Sequence, residues 1–294
     1  MNIKDLIENS KSTRDFKEKR VPEELVKEVI SFSKEAKPLY TDQKIDMMYL
    51  EDGNMVNKAL EGIAGFNGIM IKAPQYFLFV TDNKEHDQIN VGYYVQKIIL
   101  KIQDLGLDSC WISVPEDGQI VKEALSIDVE GEPAAILAIG YDEDEKKVIN
   151  QFKWGENYSK TSMKVVENNV SSRLSMTEVV YFDKWGKTEN LDQFIELGME
   201  EVFRYAVMAP SSFNRQPWRF LLKDNHLYLA IKEDDKANEE LDLLDAGIII
   251  LYVELLFTEN SIDGTWKIEI DGERKETIHI PQDYKYIGYF STEQ

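Results

Sequence analysis

Two strongly apolar stretches, Val91 to Leu105 and Leu241 to Leu256, constrain this chain more than any other feature. Each has the length of a helix but falls short of the roughly 20 residues that cross a bilayer. Both read as core helices, because a helix that is apolar all round has to be buried. Their surroundings match. A fully buried strand, Tyr76-Phe77-Leu78-Phe79-Val80, precedes the first, and Leu227-Tyr228-Leu229-Ala230-Ile231 precedes the second. Upstream of each strand lies an amphipathic helix. One opens at Val21-Pro22-Glu23-Glu24-Leu25, with proline and two acids where the helix dipole favours them. The other runs from Leu191 to Met208. The second half of the chain thus repeats the element order of the first.

The remaining segments fit around this repeat. Gly106 closes the first apolar helix, and Ala134 to Tyr141 is another buried strand. Residues 142 to about 176 begin with the charge run Asp142-Glu143-Asp144-Glu145-Lys146-Lys147 and become rich in Asn and Ser, as a connection does. The organisation read from this is a first half over 1–150, a connection over 151–176 and a second half over 177–294. Trp266 to Phe290 reads as short strands, with a hairpin expected at Asp271-Gly272.

Charge and cysteine usage exclude several classes. A net charge of −20 argues against binding nucleic acid, which needs clustered Lys and Arg, and against anionic membranes. The single cysteine, Cys110, cannot form an internal disulfide, and the N-terminal residues lack the apolar core of a signal peptide. A cytoplasmic protein is expected. Cys110 reads as a small core residue, since His86, His226 and His279 sit in no catalytic pattern beside it. HExxH, CxxC and Walker sequences are absent.

Three local motifs carry chemistry. Met208-Ala209-Pro210-Ser211-Ser212-Phe213-Asn214-Arg215-Gln216-Pro217-Trp218 is a polar loop between a helix end and a strand, able to present several hydrogen-bonding groups to a flat polar ligand. Ser10-Lys11-Ser12-Thr13-Arg14-Asp15-Phe16 joins two cations to hydroxyls, which suits phosphate and the edge of a polar ring. Gly106-Leu107-Asp108-Ser109-Cys110-Trp111-Ile112-Ser113 follows the first apolar helix.

The first of these resembles the flavin-contacting loop Ala-Pro-Ser-x-x-Asn-x-Gln-Pro-Trp of the nitroreductase family, with all fixed positions matched. The second resembles that family's opening Arg-Arg-Ser-x-Arg-x-Phe, with Lys11 for the second arginine and Ser10 departing from the first. The third resembles Leu-Gly-x-x-Ser-Cys-Trp-Ile. The resemblance covers most of residues 9–256. It implies an α+β, nitroreductase-like fold of two pseudo-symmetric halves, each a small, mainly antiparallel sheet flanked by helices.

The resemblance also implies FMN as cofactor and NAD(P)H as co-substrate. Candidate FMN contacts are Ser10, Lys11, Ser12, Arg14, Asn67, Pro210, Ser211, Ser212, Asn214 and Gln216. Lys146 or Lys147 would supply the charge missing at Ser10. Arg14 would stabilise the negative charge that develops near flavin N1, and the Ser113 and Val114 amides would approach N5.

Family members of the ordinary kind are homodimers with two shared sites. Here the cationic motif lies in the first half and the intact loop in the second. The loop equivalent Ala36-Lys37-Pro38-Leu39-Tyr40 is degenerate, and Ser175-Met176-Thr177-Glu178-Val179-Val180-Tyr181, in place of the cationic motif, has no cation where Arg14 would fall. The chain resembles two fused subunits that keep one site, a monomer acting as an intramolecular pseudodimer. The expected activity passes electrons from NAD(P)H through FMN to a nitroaromatic, quinone or similar small acceptor. The alternatives are another flavin reaction, such as reductive dehalogenation or flavin fragmentation, and a flavin-binding or interaction protein without turnover.

Overall fold

The computed structural model describes residues 2–82, 84, 86–143, 172–186, 191–235 and 238–292. The first half contains α1 (Ile3–Glu8), α2 (Glu23–Glu35), β1 (Ile45–Leu50), α3 (Gly53–Leu60), β2 (Gln75–Thr81), α4 (Asp87–Asp104), β3 (Asp108–Ile112), α5 (Gly118–Leu125) and β4 (Glu132–Gly140). The second contains α6 (Met176–Val179), β5 (Val180–Phe182), α7 (Leu191–Glu196), α8 (Glu200–Ala206), β6 (Trp218–Lys223), β7 (His226–Lys232), α9 (Glu239–Glu259), β8 (Thr265–Ile268), α10 (Arg274–Thr277) and β9 (Tyr284–Ser291).

Two sheets result. The first has the order β1-β2-β4-β3, antiparallel throughout. The second has the order β5-β6-β7-β9-β8, antiparallel except for the β5–β6 pair. The fold is therefore α+β, as the sequence leads one to expect. β2 is buried at every position because helices cover both faces of its sheet. The periodicity of a half-exposed strand is absent there for the same reason.

Helices α4 and α9 are the two apolar runs, and they pack on each other at the centre. Gly92 and Gly247 let the backbones meet, and a Cβ at either would fall within about 2 Å of a carbonyl oxygen on the other helix. Polar pairs flank this crossing: the Tyr93 hydroxyl donates to Glu254 at 2.7 Å, and Gln96 donates to the Tyr252 hydroxyl at 3.3 Å.

Three local expectations change. Ile45–Leu50 is a strand that pairs with β2 and Asp108–Ile112 is one that pairs with β4, so the first half holds four strands and not two. The helix expected over Leu191–Met208 is broken into α7 and α8 at Gly198, whose φ of 67° leaves helical space. Asp271-Gly272 is no hairpin turn. Gly272 and Lys275 continue into α10, so β8 and β9 pair across a helical connection.

Candidate functional site

The cationic segment leaves α1 and runs beside the ends of β3 and β4. Thr13 N–H donates to the Ser109 carbonyl at 3.0 Å, Phe16 forms a bridge with Asp142, and Lys17 N–H reaches the Tyr141 carbonyl at 2.9 Å. These bonds fix alternate residues to the sheet and turn Ser12 and Arg14 outward. Both are exposed, and among the described residues neither makes a hydrogen bond or ion pair. Lys11 differs. Its ammonium pairs with Asp142 and, at 3.4 Å, with Asp108. Burial works against its charge, but the two carboxylates outweigh burial and raise its pKa. A phosphate would have to compete with them for this ammonium.

Ser113 follows β3 and is exposed, and its carbonyl accepts from Gly65 N–H at 2.8 Å. That bond brings the Gly62–Ile69 loop over the end of the sheet. Gly62, Gly65 and Gly68 all have positive φ, as does Asn67 at 53°. The loop tip exposes Phe66 and Ile69, at 62% and 64%. Opposite it stands Phe213 of the second half, 63% exposed, its ring 5.5 Å from that of Phe66 in an edge-to-face arrangement. Ser113, Val114 and Asn67 are thus brought to the same edge as the Ser211–Gln216 loop.

The loop itself is built by hydrogen bonds to its own half. Phe213, Asn214 and Gln216 have φ near 55°, 56° and 51°, a left-handed geometry that is costly for a large side chain. Ser211 Oγ accepts from Gln216 N–H at 2.9 Å. The buried Asp245 of α9 accepts from Ser212 N–H at 2.9 Å and from Ser212 Oγ at 3.1 Å. Arg215 lies against the first turn of α9, its Nη1 on Asp242 at 2.5 Å.

Asn214 and Gln216 turn toward residues 172–174. Asn214 Nδ2 donates to the Ser172 carbonyl at 2.9 Å, while Gln216 accepts from Leu174 N–H at 2.8 Å and donates to Ser172 at 3.1 Å. The residue they present is Arg173, which donates to the carbonyl oxygens of Ala209 at 3.0 Å and the Asn214 side chain at 2.9 Å. Burial lowers its pKa, though an arginine remains charged. Sequence reasoning missed Arg173, which stands alone in an Asn- and Ser-rich stretch and belongs to no motif.

Tyr252 of α9 ties the two halves together here. Its hydroxyl interacts with Ser10, Arg173 and Gln96, and burial pushes its pKa up to about 12. Ser10 and Arg173 therefore come to one place. Cys110 is buried, and burial pushes its thiol up to about 11, which leaves it unreactive. Lys146 and Lys147 lie outside the described residues. No group of His, Cys, Asp and Glu among the described residues could hold a metal ion, and no described helix is long and apolar enough to cross a membrane.

The family model described as "Putative TM nitroreductase" matches residues 2–256, and the chain belongs to that family. No curated protein matches. Among solved structures, a "putative nitroreductase" of Thermotoga maritima shares the fold, with a TM-score of 0.55 and 16% identity over 98% of this chain and 93% of that one. An FMN-dependent nitroreductase from Clostridium difficile matches 56% of this chain and 97% of its own, at 21% identity and a TM-score of 0.40. A nitroreductase family protein of Streptococcus pneumoniae covers 49% and 92%, at 18% identity and a TM-score of 0.42.

Proposed function

We propose, from this family membership, that the chain is an FMN-dependent oxidoreductase that takes hydride from NAD(P)H and reduces a small acceptor of the nitroaromatic or quinone kind. The observation that carries the reading is the meeting of the two halves at one edge. Phe66 and Phe213 touch across it, and Ser10 and Arg173 share Tyr252.

The residues fit the cofactor. Arg14 and Ser12, without a partner among the described residues, offer a cation and a hydroxyl for phosphate or for the flavin pyrimidine edge. Arg173 supplies a second cation, and it stands where the family's first arginine would otherwise be missed at Ser10. Lys11 orients Asp108 and Asp142, and the backbone at Ser113 and Val114 borders the reacting edge. When bound, FMN supplies hydride acceptance and donation; the protein supplies position and electrostatics. Arg14 would be the residue that stabilises negative charge developing on the flavin pyrimidine edge. Phe66 and Phe213 exclude water from that edge and offer ring faces to a planar acceptor.

The reading includes one site per chain. The first half contributes 1–150 and the second 177–294, the two acting as fused subunits. The matching placement of Gly92 and Gly247 supports this. So does the matching role of Asn90, which binds the backbone of Tyr40 after Pro38, and of Asp245, which binds Ser212 after Pro210. The test is the absorption spectrum of purified protein after FMN addition, before and after NADH or NADPH. A flavin spectrum bleached by nicotinamide and restored by an acceptor supports the enzyme. Bound flavin without bleaching favours a binding protein without turnover. Absence of any bound flavin refutes the reading.

A further inference from the structure

Asn90 and Asp245 do the same structural work with different chemistry. Asn90 Oδ1 accepts from Tyr40 N–H at 3.0 Å while its Nδ2 donates to the Tyr40 carbonyl at 3.2 Å. An amide thus satisfies this turn in the half whose loop is degenerate. In the half whose loop is intact, the position is a carboxylate. Asp245 is fully buried, and both of its oxygens receive Ser212 N–H, at 2.9 and 3.1 Å. Oδ1 also receives the Ser212 hydroxyl at 3.1 Å. An ionised carboxylate only accepts, so the hydroxyl proton must point at Asp245. Ser212 then turns only lone pairs toward its exposed side, beside Phe213 and the Phe66 contact.

We propose that Asp245 is a positioning residue that sets the hydrogen-bonding polarity of Ser212. Its carboxylate makes Ser212 an acceptor for a ligand ring N–H, and its protonated form reverses that polarity. The proposal rests on the reading that the cleft beside Ser212 holds the flavin, whose ring N–H is such a donor. The protonated carboxyl would donate to Ser212 Oγ, freeing the hydroxyl proton to face the cleft and repel that N–H.

The surroundings place this change near neutrality. Burial raises the Asp245 pKa to about 7, the Ser212 bonds oppose the rise, Asp242 on the same helix adds to it, and Arg215 of the loop opposes it. The α4 side presents backbone at Ile89 and Tyr93, and the Tyr93 hydroxyl is occupied by Glu254. No other charged group is therefore needed to explain the shift. Burying a carboxylate where an amide would serve costs stability, and the cost falls only in the half that keeps the functional loop.

The sign of the stability effect follows. The folded carboxyl holds its proton up to about pH 7, whereas an unfolded aspartate loses it near about 4. Stability contributed by the bound proton is full below the unfolded value and is lost as pH rises through the folded one. Asp245→Asn lacks that loss.

The experiment uses full-length wild type, Asp245→Asn, Ser212→Ala and the double variant. FMN affinity and apoprotein Tm are measured from about pH 5.5 to about 8.5, spanning the expected titration. Wild-type affinity should rise across neutral pH by about tenfold, the scale of one hydrogen bond. Asp245→Asn should keep the low-pH value throughout, and adding it to Ser212→Ala should change nothing. The apoprotein Tm of Asp245→Asn should gain on wild type by a few degrees as pH rises, roughly the scale for a chain of this size. Wild-type affinity and pH profile in Asp245→Asn would overturn the proposal. So would parallel Tm curves, and these are read without flavin. Failure of wild type to bind FMN at any pH would instead refute the flavin reading.

Discussion

Gly92 and Gly247 meet the opposite helix at reciprocal points. A Cβ on Gly92 would lie 2.1 Å from the Leu244 carbonyl oxygen, and one on Gly247 would lie 2.0 Å from that of Ile89. Each contacted residue stands three positions before the other glycine. This is the relation that a two-fold interface imposes, in which residue i meets j and j meets i. Within one chain, a pseudo-axis relating the two proposed halves would pass through the α4–α9 crossing.

Gly247→Ala should therefore destabilise the protein strongly. The obstacle is backbone, which cannot swing aside as a side chain can. Overpacking of this kind typically costs about 1–3 kcal/mol, and the upper end is expected because the helices must separate. Urea unfolding of Gly92→Ala and Gly247→Ala should give similar losses, because the contacts are reciprocal. A neutral substitution at either position would show that the helices slide apart freely.

The Arg215–Asp242 pair should matter as much. Both side chains are nearly inaccessible, at 5% and 6%, so neither charge can turn to water. Asp242→Ala would leave the guanidinium with only Asp234, at 3.3 Å and half exposed. A loss of about 3–5 kcal/mol is expected for a buried pair broken on one side. Arg215→Met with Asp242→Leu should recover much of it. Equal stability of the single and double variants would mean that the pair is not buried in solution.

Arg14 of the first half and Arg173 of the connection should both contribute to flavin binding. Each would lose a charge-assisted bond worth about 1.5–3 kcal/mol, or on the order of ten- to a hundredfold in affinity. Arg14→Ala should also slow reduction by NAD(P)H, since it is assigned to the developing charge. Arg173→Ala should weaken binding with a smaller effect on reduction. Titration with FMN and stopped-flow bleaching measure both. Unchanged affinity in either variant removes that arginine from the site.

The sequence shows the central helices and the buried strands because full burial requires long apolar runs, and these survive in composition alone. β1 escaped notice because Ile45–Leu50 mixes an acid with partly exposed methionines on an edge strand. The break at Gly198 was hidden by apolar residues on both sides that kept a helical rhythm. Of the candidate site, Ser12, Arg14, Ser113 and the Ser212 loop were legible as short motifs. Arg173 and Asp245 were not, since each acts through a contact far along the chain, Asp245 reaching Ser212 across 33 positions. Asn214 and Gln216 show the same limit. Their residue types suit a ligand, yet here they clasp Ser172 and Leu174.

One FMN per chain is the last expectation. In the proposed reading, each flavin would need a cationic segment like Ser10–Arg14 from one half and a polar turn like Ser211–Asn214 from the other. A pseudo-axis through Gly92 and Gly247 would carry that edge to a second one, where Tyr40 would take the place of Ser212. There Asn90 uses both amide groups on the Tyr40 backbone, so the turn is built but offers a bulky phenol in place of a hydroxyl. Flavin released by denaturation, divided by chain concentration, should approach one. A ratio near two would mean that the Tyr40 edge also binds, and that the halves kept both sites. A ratio of one in a chain truncated after residue 150 would show that the first half needs no partner, and would overturn the shared site.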